Sequence, residues 1–575
     1  MRQYLLLYSL SLCLIPNPLF VLNSDKLGGG KATALTANFL LLPQHSRLDS
    51  ILTEKQYFAA LAVADETTFK NEFETEFVLL LDEQQKQTYG SLAPLTERKA
   101  YIELYWKAAN PNPLLSENDW LVDYLKRRAY ARKNFPYWKP PYFDDRGKYY
   151  LKYGKPSFRY EDGGNFDILP NESWSYENVT RNLLVHFVKE GAVFREIENL
   201  LSILIAGRRV DPVKQATGWS ALVKKRASVS PVFDRAIARL HELETARAHA
   251  ARFPNSRTVL AEEYYTPHVV QWRIAEQAKI EVFKARSEAP PAAHNEIEAV
   301  NKLEFYDDLA QFRAPHGSTR MEIALLSPLK KNLVKNYSSD SNDTLNIAYR
   351  CLLQNQWFDP VGKDSMTKKF PAKLAALENF SNAVGKLTIL APSQQGDLTL
   401  QIKDERNGKL GFSRQPITIR DFRGDSLMIS DIQFLTEITN ENQRRVLPAA
   451  RKQDREIAPY PFEKIRKSAP LLCYFEVYNL KTSGITDQYE IVYKIISEKR
   501  KEENIFKQVA QALASDKDVA VSVSYSRPVN GDAAEELIGI DLSRVAKGNY
   551  RLEITVTDTH TKTIAAKAEK EMVID

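Results

Sequence analysis

Hydrophobic positions change their spacing along the chain, from a helical period in the first part to a strand period in the last part. Between about residues 52 and 135, apolar side chains recur three and four positions apart, as Phe73, Phe77, Leu80 and Leu81 do. This spacing places them on one face of a helix and predicts a helical region.

Start and stop signals divide this region and predict further helices. Pro94 opens one helix, and Ser116 with Asp119 resembles a capping box, which predicts a helix over about 117–135. Helical periodicity returns over about 234–252 and 262–286. We therefore expect helices on both sides of the segment considered next.

Apolar and polar side chains alternate over residues 148–153, directly after Asp-Asp-Arg-Gly. A period of two predicts a strand, which Gly154 ends because glycine permits a positive φ. Alternation over 172–176 and 183–187 extends this prediction to a small antiparallel sheet from about residue 148 to residue 196.

The last third of the chain contains an internal duplication. Three pairs of matching positions are 152 to 154 residues apart: Glu322 and Glu476, Gly396 and Gly548, and Asp404 and Asp558. Agreement among the three offsets indicates a tandem repeat. Each copy contains strictly alternating strands, such as Leu398, Leu400 and Ile402, which are typical of β-sandwiches.

Length and composition fit a protein of several domains. A chain of 575 residues exceeds what one core can organise, and 43% hydrophobic with 26% charged residues is ordinary for a globular protein. We expect a multidomain α+β protein with an N-terminal helical region, a small antiparallel sheet with helices, and two tandem all-β sandwiches. The expected segments are a signal peptide (1–24), a linker (25–51), the helical and small-sheet domain (52–300), and the sandwiches (301–425 and 426–575).

The N-terminus has the pattern of a secretory signal peptide. Arg2 precedes a short apolar run over residues 4–15, which Pro16 interrupts, and the run is too short to span a bilayer. This predicts export to the periplasm or cell envelope, although a buried first strand or helix would show the same run. Cys13 would permit a lipid anchor and membrane association, but Leu12 is bulkier than that processing favours.

Cysteine and histidine spacing limits the possible metal chemistry. Cys351 and Cys473 lie in different predicted domains and are expected to be isolated buried thiols, although a disulfide is allowed. No paired Cys or His spacing of a zinc site occurs, and we expect no cofactor.

A basic stretch precedes a group of aromatic residues. Its cations are Lys126, Arg127, Arg128, Arg132 and Lys133. Cations interleaved with aromatic rings can bind a single-stranded polyanion. We prefer a solvated helix face followed by aromatic packing, and with a net charge of +6 we expect no nucleic-acid partner.

Several stretches resemble the GWxTD domain family of bacterial envelope proteins. They are residues 77–83, 97–102 and 106–113, Asp145-Arg146-Gly147, Tyr153-Gly154-Lys155-Pro156, and Glu172 with Trp174. The naming motif departs from the family pattern, since Tyr137-Trp138 replaces Gly-Trp and Pro140-Pro141-Tyr142-Phe143 intervenes before Asp144-Asp145. The resemblance implies an envelope protein with paired β domains and implies no particular reaction.

The candidate site follows from these residues. We expect a binding site and no catalytic residues. The residues expected to form the binding site are Trp138, Asp145, Arg146, Tyr153, Gly154 and Trp174. Trp138, Tyr142 and Trp174 are the candidate aromatic contacts for an envelope protein or a glycan, and packing in the core is the equal alternative for these rings. The alternative is an envelope hydrolase or glycan-processing enzyme that uses Asp144 or Asp145.

Overall fold

A computed structural model gives the fold of most of the chain. It describes residues 53–165, 168–198, 200–203, 212–252, 267–294, 303–328, 344–371, 382–406, 408–452, 454–462, 464–465, 467, 470–480, 488–497, 519–558 and 564–575. These residues belong to one compact unit, Leu52–Asp575. The predicted signal peptide, the linker and Cys13 lie outside the described residues.

The helical region is confirmed. Its helices are α1 (Glu54–Val63), α2 (Glu66–Phe69, continued by a π-helical turn Lys70–Glu74 and by Thr75–Phe77), α3 (Glu83–Gly90), α4 (Leu95–Ala109) and α5 (Asp119–Asn134). Asn118, not Ser116, caps α5, because its side-chain oxygen accepts from the amides of Trp120 and Leu121. In the described part of the chain, no helix is long and apolar enough to span a bilayer.

Residues 148–153 form a helix, so the predicted strand is wrong. Helix α6 (Asp145–Tyr153) begins after Asp144, whose side chain accepts from the Arg146 amide, and it ends at Gly154, where φ is 74°. Gly147 and Leu151 are both buried. Residues four apart lie on one face of a helix, but they also lie on one face of a strand. An alternation over only six residues therefore does not distinguish the two structures.

The predicted small antiparallel sheet is confirmed, but it starts later than expected. Strands β1 (Phe158–Asp162), β2 (Asn171–Ser175), β3 (Leu184–Glu190) and β4 (Val193–Ile197) pair in chain order. On one face, Leu184 and Val188 pack against the helices α7 (Pro212–Lys224), α8 (Pro231–Arg252) and α9 (Pro267–Glu288). On the other face, Phe187 contacts Tyr149 of α6. The sheet therefore lies between two helical layers. Helix α7 in one of these layers was not expected from the sequence.

Two β-sandwiches follow, as predicted. The first has the sheets β5-β6-β9 and β11-β10-β7-β8, with β5 (Tyr306–Arg313), β6 (Thr319–Pro328), β7 (Thr344–Asn355), β8 (Pro360–Pro371), β9 (Asn382–Ala391), β10 (Gln395–Asp404) and β11 (Leu410–Thr418). Inward side chains of both sheets form one core, with Met321 and Ile323 from β6 and Leu398 and Leu400 from β10. This is the alternation that the sequence shows.

The second sandwich has more strands. They are β12 (Met428–Ile429), β13 (Gln433–Glu437), β14 (Ala450–Lys452), β15 (Arg455–Pro459), β16 (Lys464–Ile465), β17 (Leu471–Tyr478), β18 (Gln488–Ser497), β19 (Val519–Pro528), β20 (Ala533–Ile540), β21 (Gly548–Asp558) and β22 (Ile564–Ile574), with the short helix α10 (Glu441–Val446). One sheet has the order β12-β17-β13-β15-β14 with β20 also paired to β17, and the other has the order β16-β22-β21-β18-β19.

The predicted tandem repeat is visible in strand order and in register. The order β11-β10-β7-β8 of the first copy matches β22-β21-β18-β19 of the second. Ile402 is opposite Tyr349 in the first copy, and Ile554, 152 residues after Ile402, is opposite Tyr493 in the second. The duplication therefore extends to individual cross-strand pairs.

The two sandwiches pack against each other through the outer face of β5 in the first copy and of β13 and β17 in the second. Ala310 and Phe312 of the first sandwich share an apolar cluster with Leu435, Leu472 and Tyr474 of the second. Both sides of β17 are buried as a result. The second copy is thus attached to the first by a packed interface.

Candidate functional site

Asp144 and Asp145 connect α6 to the edge strand of the small sheet. Asp144 Oδ2 accepts from the Phe194 amide at 3.1 Å, and Asp145 Oδ2 accepts from the Glu196 amide at 2.8 Å. These amides are two residues apart on β4, so they point in the same direction. The adjacent carboxylates therefore occupy hydrogen-bonding positions at an edge that a further strand could otherwise use.

Arg146 connects the start of α6 to the middle of the sheet. Its Nη2 lies 2.7 Å from Asp144 Oδ2, and its Nη1 lies 2.7 Å from Glu172 Oε1. The guanidinium carbon is 3.7 Å from the ring centre of Phe194 and 4.9 Å from that of Phe135. Burial opposes the charge of Arg146, but the bonds to Asp144 and Glu172 outweigh it and raise its pKa.

Glu172 is a shared acceptor on β2. Its Oε1 binds Arg146, while its Oε2 accepts from Trp174 Nε1 at 2.7 Å and from Arg159 Nε at 3.0 Å. Trp174 is 1% exposed and packs against Phe135 and Phe187. Of the two alternatives for Trp174, core packing is the correct one, because both its ring and its N–H are used inside the fold.

We call Asp144, Arg146, Glu172 and Trp174 the Arg146 cluster. Three of its four members, with Asp145, carry the resemblance described above. Their mutual bonds join the start of α6 to β2, and the bond from the Phe194 amide to Asp144 adds β4, which explains why these residue types occur together. The cluster orders the backbone that leads into α6.

Tyr153 and Gly154 form the other end of α6. Tyr153 Oη donates to the Pro290 carbonyl at 2.8 Å, and burial raises the pKa of Tyr153 to about 12. Gly154 has φ 74°, and a Cβ added there would lie 3.2 Å from the Arg127 guanidinium. Glycine is required by conformation and by this close approach. Both residues thus hold the C-terminal end of α6, whereas the Arg146 cluster lies at its N-terminal end.

Trp138 differs from the other candidates because its side chain is 76% exposed. It lies on a loop of residues 136–143, which we call the Trp138 loop. At the base of the loop Pro136 pairs with Phe143, and the Asp144 amide donates to the Phe135 carbonyl at 2.8 Å. Lys139 Nζ is 4.5 Å from the Trp138 ring centre. Tyr142 is only half-buried, so of the three expected aromatic contacts Trp138 is the exposed one.

Asp144 and Asp145 do not form an acid–base pair. Asp144 is 1% exposed and also caps α6, while Asp145 is 7% exposed and lies 2.8 Å from Lys148 Nζ. A glycoside hydrolase holds two carboxyl groups across a cleft with room for substrate. Here both carboxylates are committed to backbone amides and cations within the fold.

The solvated basic helix face expected on α5 holds for Lys126 and Lys133, which are exposed, and is wrong for the three arginines, which are buried. Arg128 and Arg132 are buried and form ion pairs with Glu72 and Glu76 of α2, including 2.6 Å from Arg132 Nη2 to Glu76 Oε1. The π-helical turn of α2 lies within this contact. The sequence does contain a signal for this contact. Glu72 and Glu76 are four residues apart, and so are Arg128 and Arg132, so each pair lies on one face of its helix.

The described parts of the chain contain no arrangement of side chains that is typical of a metal site. No group of three or more His, Cys, Asp and Glu side chains there is arranged to hold an ion. Cys351 and Cys473 are free, buried thiols, as predicted.

Comparison with known proteins gives no family. The sequence matches no family model and no curated protein. Among solved structures, a red sea bream transglutaminase aligns at 9% identity and a TM-score of 0.14, covering 52% of this chain and 34% of the transglutaminase. A tetra-tandem repeat of a large adhesion protein aligns at 10% identity and a TM-score of 0.12, covering 47% of this chain and 50% of that one.

A third solved structure is the C-terminal domain of the Streptococcus pyogenes antigen I/II-family protein AspA. It aligns at 9% identity and a TM-score of 0.15, covering 48% of this chain and 99% of that domain. All three TM-scores are below 0.5, so these alignments carry no argument about function.

Proposed function

We propose that this chain is an exported, non-catalytic binding protein of the bacterial cell envelope, related to GWxTD domain proteins. In this proposal the Trp138 loop contacts an envelope protein or a glycan. The two β-sandwiches act as spacers or docking modules. The observation that carries the proposal is the exposure of Trp138, 76%, next to a buried and extensively bonded base.

The arrangement suits a binding contact for two physical reasons. A large aromatic side chain contributes much contact area with few rotatable bonds, so ordering it on binding costs little entropy. The Phe135 carbonyl and the Asp144 amide hold the loop ends together, and the Arg146 cluster fixes Asp144 in turn. A pre-ordered loop reduces the cost of association.

The residues that carry the family resemblance support the same proposal. Four of them, Asp145, Arg146, Glu172 and Trp174, connect the end of the loop to the sheet, so a change of the displayed residues would leave this connection intact. In the displayed part, Tyr137 replaces the glycine of the family motif, while Trp138 matches its tryptophan.

The proposal is tested by capture from envelope extract with purified wild-type protein, Trp138→Ala and Phe158→Ala. Phe158 is a 53% exposed aromatic residue on β1 and provides a matched loss of exposed ring. We expect a ligand that wild type and Phe158→Ala capture and Trp138→Ala does not. An identical set of captured proteins and glycans for all three would contradict the proposed contact.

Export is tested separately by expressing the chain from Met1 and determining the N-terminus of the mature protein. Cleavage near Ser24 and recovery in the periplasmic fraction are expected. An uncleaved chain in the cytosol would contradict the envelope assignment. Incorporation of labelled fatty acid that is lost in Cys13→Ser would establish a lipid anchor.

A further inference from the structure

A cavity of about 400 Å³ lies between β3 and the helices α7, α8 and α9. No residue of the Trp138 loop lines it. Its walls are mainly apolar and aromatic, with Trp219, Phe233, Trp272, Ala275, Ala278 and Val282 among them. Volume and lining are those of a small-molecule site, which usually adds a few polar groups to fix orientation.

His186 is the first such polar group. It is 6% exposed, it lines the cavity, and its Nδ1 lies 2.9 Å from Ser173 Oγ on β2. Arg226 Nε donates to the same Ser173 oxygen at 2.9 Å. His186 Nδ1 is the acceptor that the buried Ser173 hydroxyl reaches in the described structure, so we assign the hydroxyl hydrogen to Nδ1 and the imidazole proton to Nε2. Among the described residues Nε2 has no hydrogen-bond partner.

The His186 ring is neutral. Burial, together with the cations Arg286 and Arg226, lowers the pKa of His186 well below its usual range. The ring stacks on Phe233, with centres 5.9 Å apart. Its Nε2–H is thus a fixed neutral donor in an apolar wall.

Arg286 at the end of α9 supplies a second donor. Its Nη1 binds Glu196 at 3.0 Å and its Nε donates to the Leu184 carbonyl at 3.0 Å. Its Nη2 is buried without a hydrogen-bond partner in the described part of the chain. A buried unsatisfied donor is costly, and an acceptor oxygen in the cavity would remove that cost.

Arg226 adds a positive charge behind His186. It is fully buried, and its hydrogen bonds go to neutral oxygens of Ser173, Asn171 and Leu222. Burial lowers the pKa of Arg226 to about 10, so the charge persists at neutral pH. Asp162 is close enough to favour this charge but makes no hydrogen bond to Arg226 in the described structure, so an anion in the cavity would add to the stabilisation.

The charged residues at the cavity rim do not oppose this field strongly. Glu276 and Lys279 pair with each other, 3.6 Å apart and each 56% exposed, and Glu198 is exposed. Solvent screens exposed charges of this kind. Ile280 and Phe283 of α9 are 54% and 73% exposed, and Phe283 lines the cavity, so one side of its opening is apolar.

We propose that this cavity binds a small acid with an apolar body, whose carboxylate contacts His186 Nε2 and Arg286 Nη2. The two donors satisfy the carboxylate oxygens, and the charge of Arg226 favours the anion. The apolar body lies along Trp219 and Trp272 and ends near Phe283. The site is independent of the proposed contact through Trp138.

The proposal is tested by isothermal titration calorimetry with decanoate, 1-decanol and decylammonium on the full chain. The three probes share one ten-carbon body and differ in the head group. We expect decanoate to bind about tenfold more tightly than decanol, since a hydrogen bond to a charged group contributes about one order of magnitude. Decylammonium should bind more weakly than both. Equal affinities for decanoate and decanol, or no binding of decanoate, would overturn the proposal.

Three substitutions locate the site. Ala278→Phe fills the cavity and should abolish binding of decanoate and decanol together. His186→Phe should weaken the binding of decanoate about tenfold and leave the binding of decanol unchanged. Arg286→Gln, on a different element, should have the same effect and replaces His186→Phe if that variant does not fold. Trp138→Ala is the matched control and should bind decanoate as wild type does. Unchanged decanoate binding in folded Ala278→Phe would exclude this cavity.

Discussion

Arg146 Nη1 lies 2.7 Å from Glu172 Oε1, which joins the first turn of α6 to the second strand of the small sheet. The side chains of Arg146 and Glu172 are 13% and 5% exposed, so solvent screens the pair little. Arg159 and the Trp174 indole depend on the same carboxylate. Glu172 is therefore the residue whose loss should disturb this region most.

Glu172→Ala should destabilise the small sheet by about 3 kcal/mol, because it leaves the buried Arg146 without one of its acceptors and removes the acceptor of the Trp174 N–H. Hydrogen exchange at the amides of β2 and β3 measures this locally, which suits a chain of several domains. Exchange should accelerate there and remain unchanged in the β-sandwiches.

Glu161→Ala is the matched control for that experiment. Glu161 lies on β1 and binds the same Arg159 at 2.8 Å, but its side chain is 59% exposed. An exposed ion pair contributes little, so the cost should stay below about 0.5 kcal/mol. Equal effects of the two substitutions would contradict the importance of burial.

Gly147→Ala should destabilise the start of α6 by about 1 to 3 kcal/mol. A Cβ at Gly147 would lie 2.5 Å from the Phe143 ring, a contact that requires the loop base to move. Gly90→Ala at the end of α3 is the control, since a Cβ there meets nothing within 4 Å. Circular dichroism thermal melts should show a lower midpoint for Gly147→Ala alone, and an unchanged midpoint would argue against the observed packing of Phe143.

Cys351 and Cys473 should resist thiol reagents in the folded protein. Burial raises the pKa of Cys351 to about 12 and raises that of Cys473 as well, so little reactive thiolate exists near neutral pH. In a Cys13→Ser chain, Ellman's reagent at pH 8 should label neither thiol before urea is added and both afterwards. Rapid labelling of the folded chain would show that one sandwich core opens.

Arg320 should hold the two sandwiches together. It binds Glu322 at 3.2 Å within its own copy and Glu476, the matching residue of the second copy, at 2.6 Å. Arg320→Met should destabilise the β6–β17 interface by about 3 kcal/mol, because Glu476 is largely buried. Hydrogen exchange at both strands measures the change.

The control for Arg320 is Arg551→Met. Arg551 binds Glu569 at 2.9 Å, but the two side chains are 37% and 35% exposed. Its loss should cost less than about 1 kcal/mol. A comparable effect of both substitutions would mean that the repeat-related glutamates do not couple the sandwiches.

The β-sandwiches could be predicted because their alternation is strict and occurs twice. Leu398, Leu400 and Ile402 point into one core, as their spacing requires. The segment 148–153 could not be assigned, since Leu151 fits both an alternation and a four-residue spacing from Gly147. The capping oxygen of Asp144 decides for the helix, and that contact is visible only in three dimensions.

Part of the Arg146 cluster could be predicted from the sequence, but its burial could not. Asp145, Arg146 and Trp174 lie close to one another in the structure, but the sequence could not show that they are buried while Trp138 is exposed. The partners of Asp144 and Asp145 are backbone amides of β4, which no residue pattern identifies. The cavity beside His186 depends on helices α7, α8 and α9 meeting β3, a packing that a single sequence does not show.

The most direct test of the proposed function is the affinity of the captured protein or glycan for wild type, Trp138→Ala and Phe158→Ala, measured by isothermal titration calorimetry. Loss of a central aromatic contact should weaken binding at least about tenfold in Trp138→Ala and leave Phe158→Ala at the wild-type affinity. Equal affinities of wild type and Trp138→Ala would contradict a binding function of the Trp138 loop.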